Sequence, residues 1–340
     1  MSARPEPVRL PANQPPQFYR GGEAIAALRG HPGSAEFGPE DWVASTTTRF
    51  GRDTQGLSLL PDGRWLRDAV HADPHGWLGA GHVAAFGDST ALLVKLLDAG
   101  QRLPVHFHPS DAFAREHFDS HFGKTEAWIV VGTGGPDAVV YAGFREAHSA
   151  GTIGEWVRGQ DAPAMLDALN RIAVRPGDTV YIPAGLPHAI GAGVFVVELQ
   201  QPTDFSLTME WRDFLRAPDE GHLGIGFDTA LAALDRSGWD DDRLRGLIRH
   251  TADHDSPTVD LLVPGAAGFF RADRLRPRPA LALAPSFSVL VVLDGTGTLR
   301  TEHGAELPVT RGDTLVVPHA AGELELTGET TVIRCRPPRA

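Results

Sequence analysis

The sequence predicts an all-β-dominated protein made of two related β barrels with a few helices. Three observations lead there. The 38 glycines and 27 prolines together exceed the ordinary share of about 12%, and they punctuate short apolar runs, the pattern of many strands joined by tight turns. The runs Ala91 to Leu97, Ala127 to Val131, Ala138 to Tyr141, Thr179 to Pro183, Val194 to Leu199 and Val289 to Leu293 have strand length and are mostly rich in β-branched residues. Finally, Gly177-Asp178-Thr179-Val180-Tyr181-Ile182-Pro183 recurs as Gly312-Asp313-Thr314-Leu315-Val316-Val317-Pro318. Two copies indicate a duplicated barrel, since a solenoid needs at least about three stacked units.

Helical patterns are fewer: Gly22 to Leu28, Ser110 to His117 with an N-cap-like Ser-Asp start, Ala164 to Arg171, and Thr229 to His250 broken at Ser237-Gly238. The last pair predicts a helical connection over 216–254, between a first region (1–215) and a second barrel (255–340). Gly132-Thr133-Gly134-Gly135 and Gly295-Thr296-Gly297 lie between strands and are expected to be hairpin turns rather than phosphate loops.

Composition narrows function. The chain of 340 residues has 43 Asp+Glu against 31 Lys+Arg and a formal charge of −12, so it lacks the basic footprint of a nucleic-acid binder. No apolar stretch approaches the roughly 20 residues that span a bilayer. A single cysteine, Cys335, permits no internal disulfide, and with no apolar leader at the start it predicts a cytoplasmic protein. Cys335 reads as core rather than nucleophile. Lysine occurs only at Lys95 and Lys124.

His106 and His108 are two residues apart in a strand-like stretch, so both project from one face and can reach one ion. Gly100 precedes them, Glu126 follows in Thr-Glu-Ala-Trp, and Gly177, Pro183, Gly185 and His188 come downstream. Both halves resemble the two motifs of the cupin superfamily, whose fold is the double-stranded β-helix or jelly roll. The resemblance implies a divalent metal held by His106, His108, Glu126 and His188. Three nitrogens and a carboxylate suit Zn, Mn, Co, Fe or Ni better than Mg or Ca. His117 and His121, at the end of a short helix, lack the glutamate of a zincin motif.

The string from His108 to Gly134, HPSDAFAREHFDSHFGKTEAWIVVGTG, resembles the corresponding region of class I mannose-6-phosphate isomerases. Tyr19 to Gly22, Leu92 to Ala99, Arg175 to Asp178, Ile182 to Gly193 and Glu198 to Gln201 agree with the same family. The likeness is to its short bacterial form and covers nearly the whole chain. It implies an aldose–ketose isomerase acting on mannose 6-phosphate and fructose 6-phosphate, with a small sugar or sugar phosphate as its only partner besides a possible second copy of the chain (monomer or homodimer). Glu198, in a strand of apolar residues, resembles a family active-site glutamate. Lys124, in Gly-Lys-Thr-Glu, is a candidate for catalysis and for binding a substrate oxygen or phosphate. Lys95 is a candidate for substrate binding.

Three positions depart from the family pattern. His106 stands where the family has glutamine, and Pro104 where it often has a serine near the sugar phosphate. Thr208 stands where it has an arginine thought to be catalytic, four residues past Asp204. Arg212 replaces that arginine only if the loop is remodelled, because four strand residues span about 13 Å. The departures keep open an isomerase of free mannose or lyxose, a three-histidine dioxygenase, and a non-catalytic sugar-binding cupin. The second unit is expected to bind no metal and to serve packing, site closure or oligomerisation; counting back from Gly295, its match to Glu126 is Val289.

Overall fold

The computed structural model describes residues 4–31, 33 and 35–340. Its strands form three antiparallel sheets, as the short β-branched runs predict. A six-stranded sheet runs in the order Ile248–His250, Asp178–Ile182, Glu126–Thr133, Val194–Gln200, Leu93–Asp98, Glu40–Val43. A five-stranded sheet, Leu207–Thr208, His106–Phe107, His188–Ile190, Val139–Phe144, Leu169–Ala173, belongs to the same half of the chain. The main path of the third sheet is Val8–Leu10, Thr314–Val317, Ser288–Thr301, Leu324–Arg336, Arg271–Leu275, Thr258–Asp260, with Ala280–Leu283 and Glu306–Thr310 attached to its two long strands.

The internal echo proves deeper than the seven matching residues. Both paths put the Gly-Asp strand second, and each takes its first strand from outside its own unit: Ile248–His250 returns from the connection, and Val8–Leu10 crosses from the N-terminal region. Pairing therefore crosses the expected divisions at 215 and 254. Register aligns the two units through Trp128↔Val180 and Leu290↔Leu315, which makes Glu126 the counterpart of Ser288. The expected match to Val289 is thus one residue off. The count from the glycines fails because Gly132 aligns with Asp294. Each bulge leaves one extra residue, Val131 and Leu293, at equivalent places.

The turns repeat as well. Gly177 and Gly312 have φ of 93° and 90°, the left-handed region where glycine carries no Cβ penalty. Asp178 and Asp313 each accept from a backbone N–H three residues earlier, Arg175 and Thr310, at 3.0 and 2.9 Å.

Packing in the second unit follows the period of two. Ala127 and Ile129 on one side, and Val289, Val291, Ile333 and Cys335 on the other, join one continuous apolar cluster, so the two units share a core. Alternate residues Leu290, Val292 and Val332 enter a separate cluster within the second unit. Cys335 is buried and free.

Helices Glu23–Arg29 and Asp111–Phe118 form where expected, the second capped by Ser110, whose side chain accepts from Phe113 N–H. Others differ. Ala162–Ala168 ends early because Leu169–Ala173 is a strand paired with Val139–Phe144. Thr229 to His250 holds only short turns of helix, Phe227–Ala230, a 3-10 turn at Leu231–Ala233 and Asp241–Arg245, before its last residues join the six-stranded sheet. Sheet pairing overrides helix propensity in both cases. Gly295 and Gly297 lie inside Ser288–Thr301 rather than in a hairpin turn, where a Cβ on Gly295 would stand 1.9 Å from Glu329 O; close strand approach requires them. The Gly132–Gly135 segment joins strands of different sheets. No helix among the described residues is long and apolar enough to cross a membrane.

Candidate active site

The site forms where the five- and six-stranded sheets face each other. His106 pairs across the sheet with both His188 and Thr208. From the other sheet, Glu126 lies across from Gln200, and Glu198 across from both Lys95 and Trp128. His106, His108 and His188 each offer a ring nitrogen within 4.8 Å of the others.

All three rings are oriented alike. Each Nδ1 donates to a backbone carbonyl at 2.8 Å: Pro104 for His106, Phe205 for His108 and Leu186 for His188. The remaining Nε2 atoms therefore present lone pairs inward, and those of His106 and His188 are 3.0 Å apart. Burial pushes His108 and His188 down to about 3, and with His188 and Lys124 nearby it holds His106 well below the usual imidazole range. Neutral imidazoles with capped Nδ1 atoms are the protonation state of metal ligands.

Glu126 completes the cluster from the opposite sheet. Its Oε2 is 3.1 Å from His108 Nε2 and its Oε1 3.4 Å from His188 Nε2. Trp128 Nε1 donates to Oε1 at 3.0 Å, while Oε2 is buried without a hydrogen-bond donor. Burial raises the Glu126 carboxyl, but Lys124 and His108 outweigh it and hold the group well below the usual carboxylate range. Three converging lone pairs and a buried carboxylate oxygen without a hydrogen-bond donor fit a divalent cation.

Lys124 stands beside this set, its Nζ 3.2 Å from His108 Nε2 and 3.4 Å from Glu126 Oε2. The segment from Ser110 to Gly123, between His108 and Glu126, positions it. Asp111, at the start of helix Asp111–Phe118, accepts from Gly123 N–H and from Gln201 Nε2, both at 2.8 Å. Thr203 Oγ1 donates to Gly123 O at 2.6 Å. The retained lysine is thus latched from both sides.

Glu198 and Lys95 form the second charged group. Lys95 Nζ is 3.9 Å from Glu198 Oε2, 3.2 Å from Glu40 Oε2 and 4.7 Å from the Trp42 ring centre. Burial, with the nearby charge of Glu126, raises Glu198 to about 8, and Oε2 has no hydrogen-bond donor. Burial alone would lower Lys95, yet Glu40 and Glu198 carry it above its ordinary value. Glu40 was not legible as a site residue. It accepts from Tyr19 Oη at 2.5 Å, Trp42 Nε1 at 2.7 Å and Gln17 Nε2 at 2.9 Å. Its one sequence signal is an acid in a short strand beside tryptophan.

These groups open on a cavity of about 1140 Å³ whose lining includes His106, Lys124, Glu126, Lys95, Glu198 and Thr208. Arg212 is not among its lining residues. It is exposed, with a guanidinium nitrogen 3.4 Å from Gly159 O, and its backbone N–H is held by Gln160 Oε1. The loop is not remodelled to bring it in. Arg49, Arg52 and Arg216 line the cavity instead. His117 and His121 form no metal cluster among the described residues.

Residues 275–337 match the family model described as mannose-6-phosphate isomerase, cupin domain. The mannose-6-phosphate isomerase ManA of Bacillus subtilis (strain 168) is 29% identical over 247 residues, 71% of this chain and 73% of that protein. A mannose-6-phosphate isomerase of Streptococcus mutans serotype c is 31% identical over 220 residues, 64% of this chain and 63% of its own length. The crystal structure of the Bacillus subtilis mannose 6-phosphate isomerase superposes with a TM-score of 0.75 at 22% identity, covering 98% of this chain and all of the other. The chain is thus similar to mannose-6-phosphate isomerases over about two thirds of its length, and residues 275–337 match that family's cupin-domain model.

Proposed function

We propose that the protein is a metal-dependent aldose–ketose isomerase that interconverts mannose 6-phosphate and fructose 6-phosphate. The observation that carries this reading is one cavity lined both by His106, one of three imidazoles whose ring nitrogens converge, and by a buried carboxyl, Glu198, raised to about 8. His106, His108, Glu126 and His188 would hold one divalent metal, zinc first among Zn, Mn, Co, Fe and Ni for this nitrogen-rich donor set. When bound, the metal polarises a sugar carbonyl oxygen and steadies the negative charge that develops there.

Glu198 supplies the proton transfer. Near neutral pH it holds a proton that it can also release, which suits a group passing one proton between adjacent sugar carbons. The exchange balances: C2 loses a proton and C1 gains one, a hydroxyl proton moves from the C2 oxygen to the C1 oxygen, and no net oxidation occurs. Lys95, 3.9 Å away, keeps the carboxylate form accessible when the proton has left. Lys124 offers an ammonium to a sugar oxygen. Arg49, Arg52 and Arg216 have no ion-pair partner among the described residues, and they supply at the cavity mouth the guanidinium charge that Arg212 does not.

A second reading, isomerisation of free mannose or lyxose, draws on Pro104 and Thr208, both in the cavity lining. The assay that tests the proposal measures kcat/KM for mannose 6-phosphate and for mannose with Zn, Mn and Co. A preference of at least about tenfold for the phosphorylated sugar is expected. Turnover of mannose alone replaces the phosphosugar reading with the second one, and tight sugar binding without turnover with any metal replaces both with a binding protein.

A further inference from the structure

The second unit has charge where the first has its active site. Register makes Arg334 the counterpart of Glu198, Asp273 of Lys95 and Ser288 of Glu126. Arg271 pairs directly across the strands with Arg336, and Asp273 with Arg334. Like charges directly opposite each other destabilise a sheet, yet three arginines surround one carboxylate here. Asp273 pairs with Arg336. Arg271, Arg334 and Arg339 have no ion pair among the described residues.

Their polar atoms are only partly satisfied. Arg334 is 3% exposed, donating to Ser288 Oγ at 3.0 Å and to Ala284 O at 2.7 Å. Arg271 Nε donates to Pro337 O at 3.0 Å. Arg336 Nε is buried without any acceptor. Burial, reinforced by neighbouring arginines, pushes Arg271 down to about 10 and Arg334 to about 9. Uncompensated positive charge of this kind is what a bound anion relieves.

A cavity of about 230 Å³ meets the cluster, between the N-terminal helices and the second barrel, and Arg271, Arg339, His82, His319, Ser286 and Ala340 are among its lining. Ala284, whose carbonyl takes Arg334, adjoins the Pro285–Ser286 wall. We infer that this cavity is an anion site of the metal-free barrel, which takes a phosphate group, free or carried on a small ester, with Arg271 and Arg339 contacting it and Arg334 and Arg336 supplying charge from behind. Two guanidinium groups match a tetrahedral oxyanion, while the Ser286 hydroxyl is already donated to Phe287 O. The volume admits a phosphate with a few carbons, so a nucleic acid or a nucleotide is not the occupant. The site is independent of the proposed isomerase activity.

The test is the thermal midpoint of the full, metal-loaded chain in tens of millimolar inorganic phosphate, and separately glycerol 3-phosphate, against potassium chloride of equal ionic strength. Wild type is expected to rise by about 2–4 °C. Arg339→Ala, an exposed position that leaves the fold intact, and Arg271→Gln are expected to lose at least half of that rise while Lys124→Ala keeps it. The ligand effective at lower concentration identifies the source of the phosphate. No rise in wild type, an undiminished rise in Arg339→Ala, or a loss confined to Lys124→Ala each overturns the inference.

Discussion

The two barrels share a strand order, a turn and a bulge, and they differ in the charges that their sheets carry at equivalent positions. In the first, Glu126, Glu198 and Lys95 line a cavity with His106, one of three clustered histidines. In the second, the equivalent positions hold Ser288, Arg334 and Asp273, and Leu290 stands in place of Trp128. Backbone pairing is indifferent to these side chains, because register is set by turns and by which face is apolar. A duplicated sheet can therefore keep its architecture while its inner polar layer reverses sign. The difference teaches that chemistry in this protein is a property of a few inward positions and not of the fold.

The largest expected effect separates the barrels by metal. His188→Ala removes one of three converging nitrogens, and kcat/KM is expected to fall at least about a thousandfold, several kcal/mol of lost charge stabilisation. Metal analysis should show depletion in parallel. His319→Ala, in the second barrel, should leave metal content at the wild-type level; unchanged metal in His188→Ala would break the assignment. Next comes Glu198→Gln, for which kcat should drop by about 10²–10³ with metal retained. Equal loss of metal and activity would instead make Glu198 a structural support of the ligand set.

Glu198 also sharpens the comparison through pH. Its carboxyl, raised to about 8 in the fold from an ordinary value near 4.3 in the unfolded chain, stays protonated while the unfolded chain ionises. The stability it contributes is fully present below about 4.3 and is lost as pH rises through about 8. Denaturant midpoints of wild type minus Glu198→Gln should therefore decline across that window. Arg334→Gln, at the equivalent position, should show no such slope and should instead cost about 1–3 kcal/mol at every pH, because its two hydrogen bonds are buried. A flat difference for Glu198→Gln would refute the raised carboxyl.

How much of this was legible in the sequence depends on what each residue answers to. The strands were readable because their apolar pattern is local, and His106, His108, Glu126 and His188 because their spacing carries a family resemblance. Glu198 and Lys95 were readable as charges in apolar runs. Their partners were not: Glu40 and Tyr19 reach Lys95 and its neighbours only through sheet pairing and folding of the N-terminal region. The same holds for strands Val8–Leu10 and Ile248–His250, which are short and polar and exist because a distant edge accepts them. Arg212 misled for the opposite reason. Sequence distance suggested a substitute for a missing arginine, but Gln160 anchors its backbone outside the cavity. The helices Leu66–Ala72, Pro74–Leu78, Ala80–Phe86 and Ala150–Gly159 were missed where glycines and prolines obscured the period.

The smallest expected effects compare the repeated turn itself. Gly177→Ala and Gly312→Ala both force a Cβ onto a left-handed backbone, which costs roughly 1–2 kcal/mol. The surroundings then differ. At Gly177 the added Cβ would lie 2.8 Å from Ala252, whereas at Gly312 it would lie 2.3 Å from Leu28 O, the carbonyl of a helix packed over the turn. A backbone carbonyl beside a fixed helix yields less than a loop alanine, so Gly312→Ala should be the more destabilising in chemical denaturation. Activity should respond in the reverse order, because Gly177 begins the strand that pairs with Glu126, and a shift there reaches the metal site, whereas Gly312 reaches only the second barrel. Equal losses of activity in the two variants would mean that the barrels are coupled through their shared core, and that the second unit holds the first in shape.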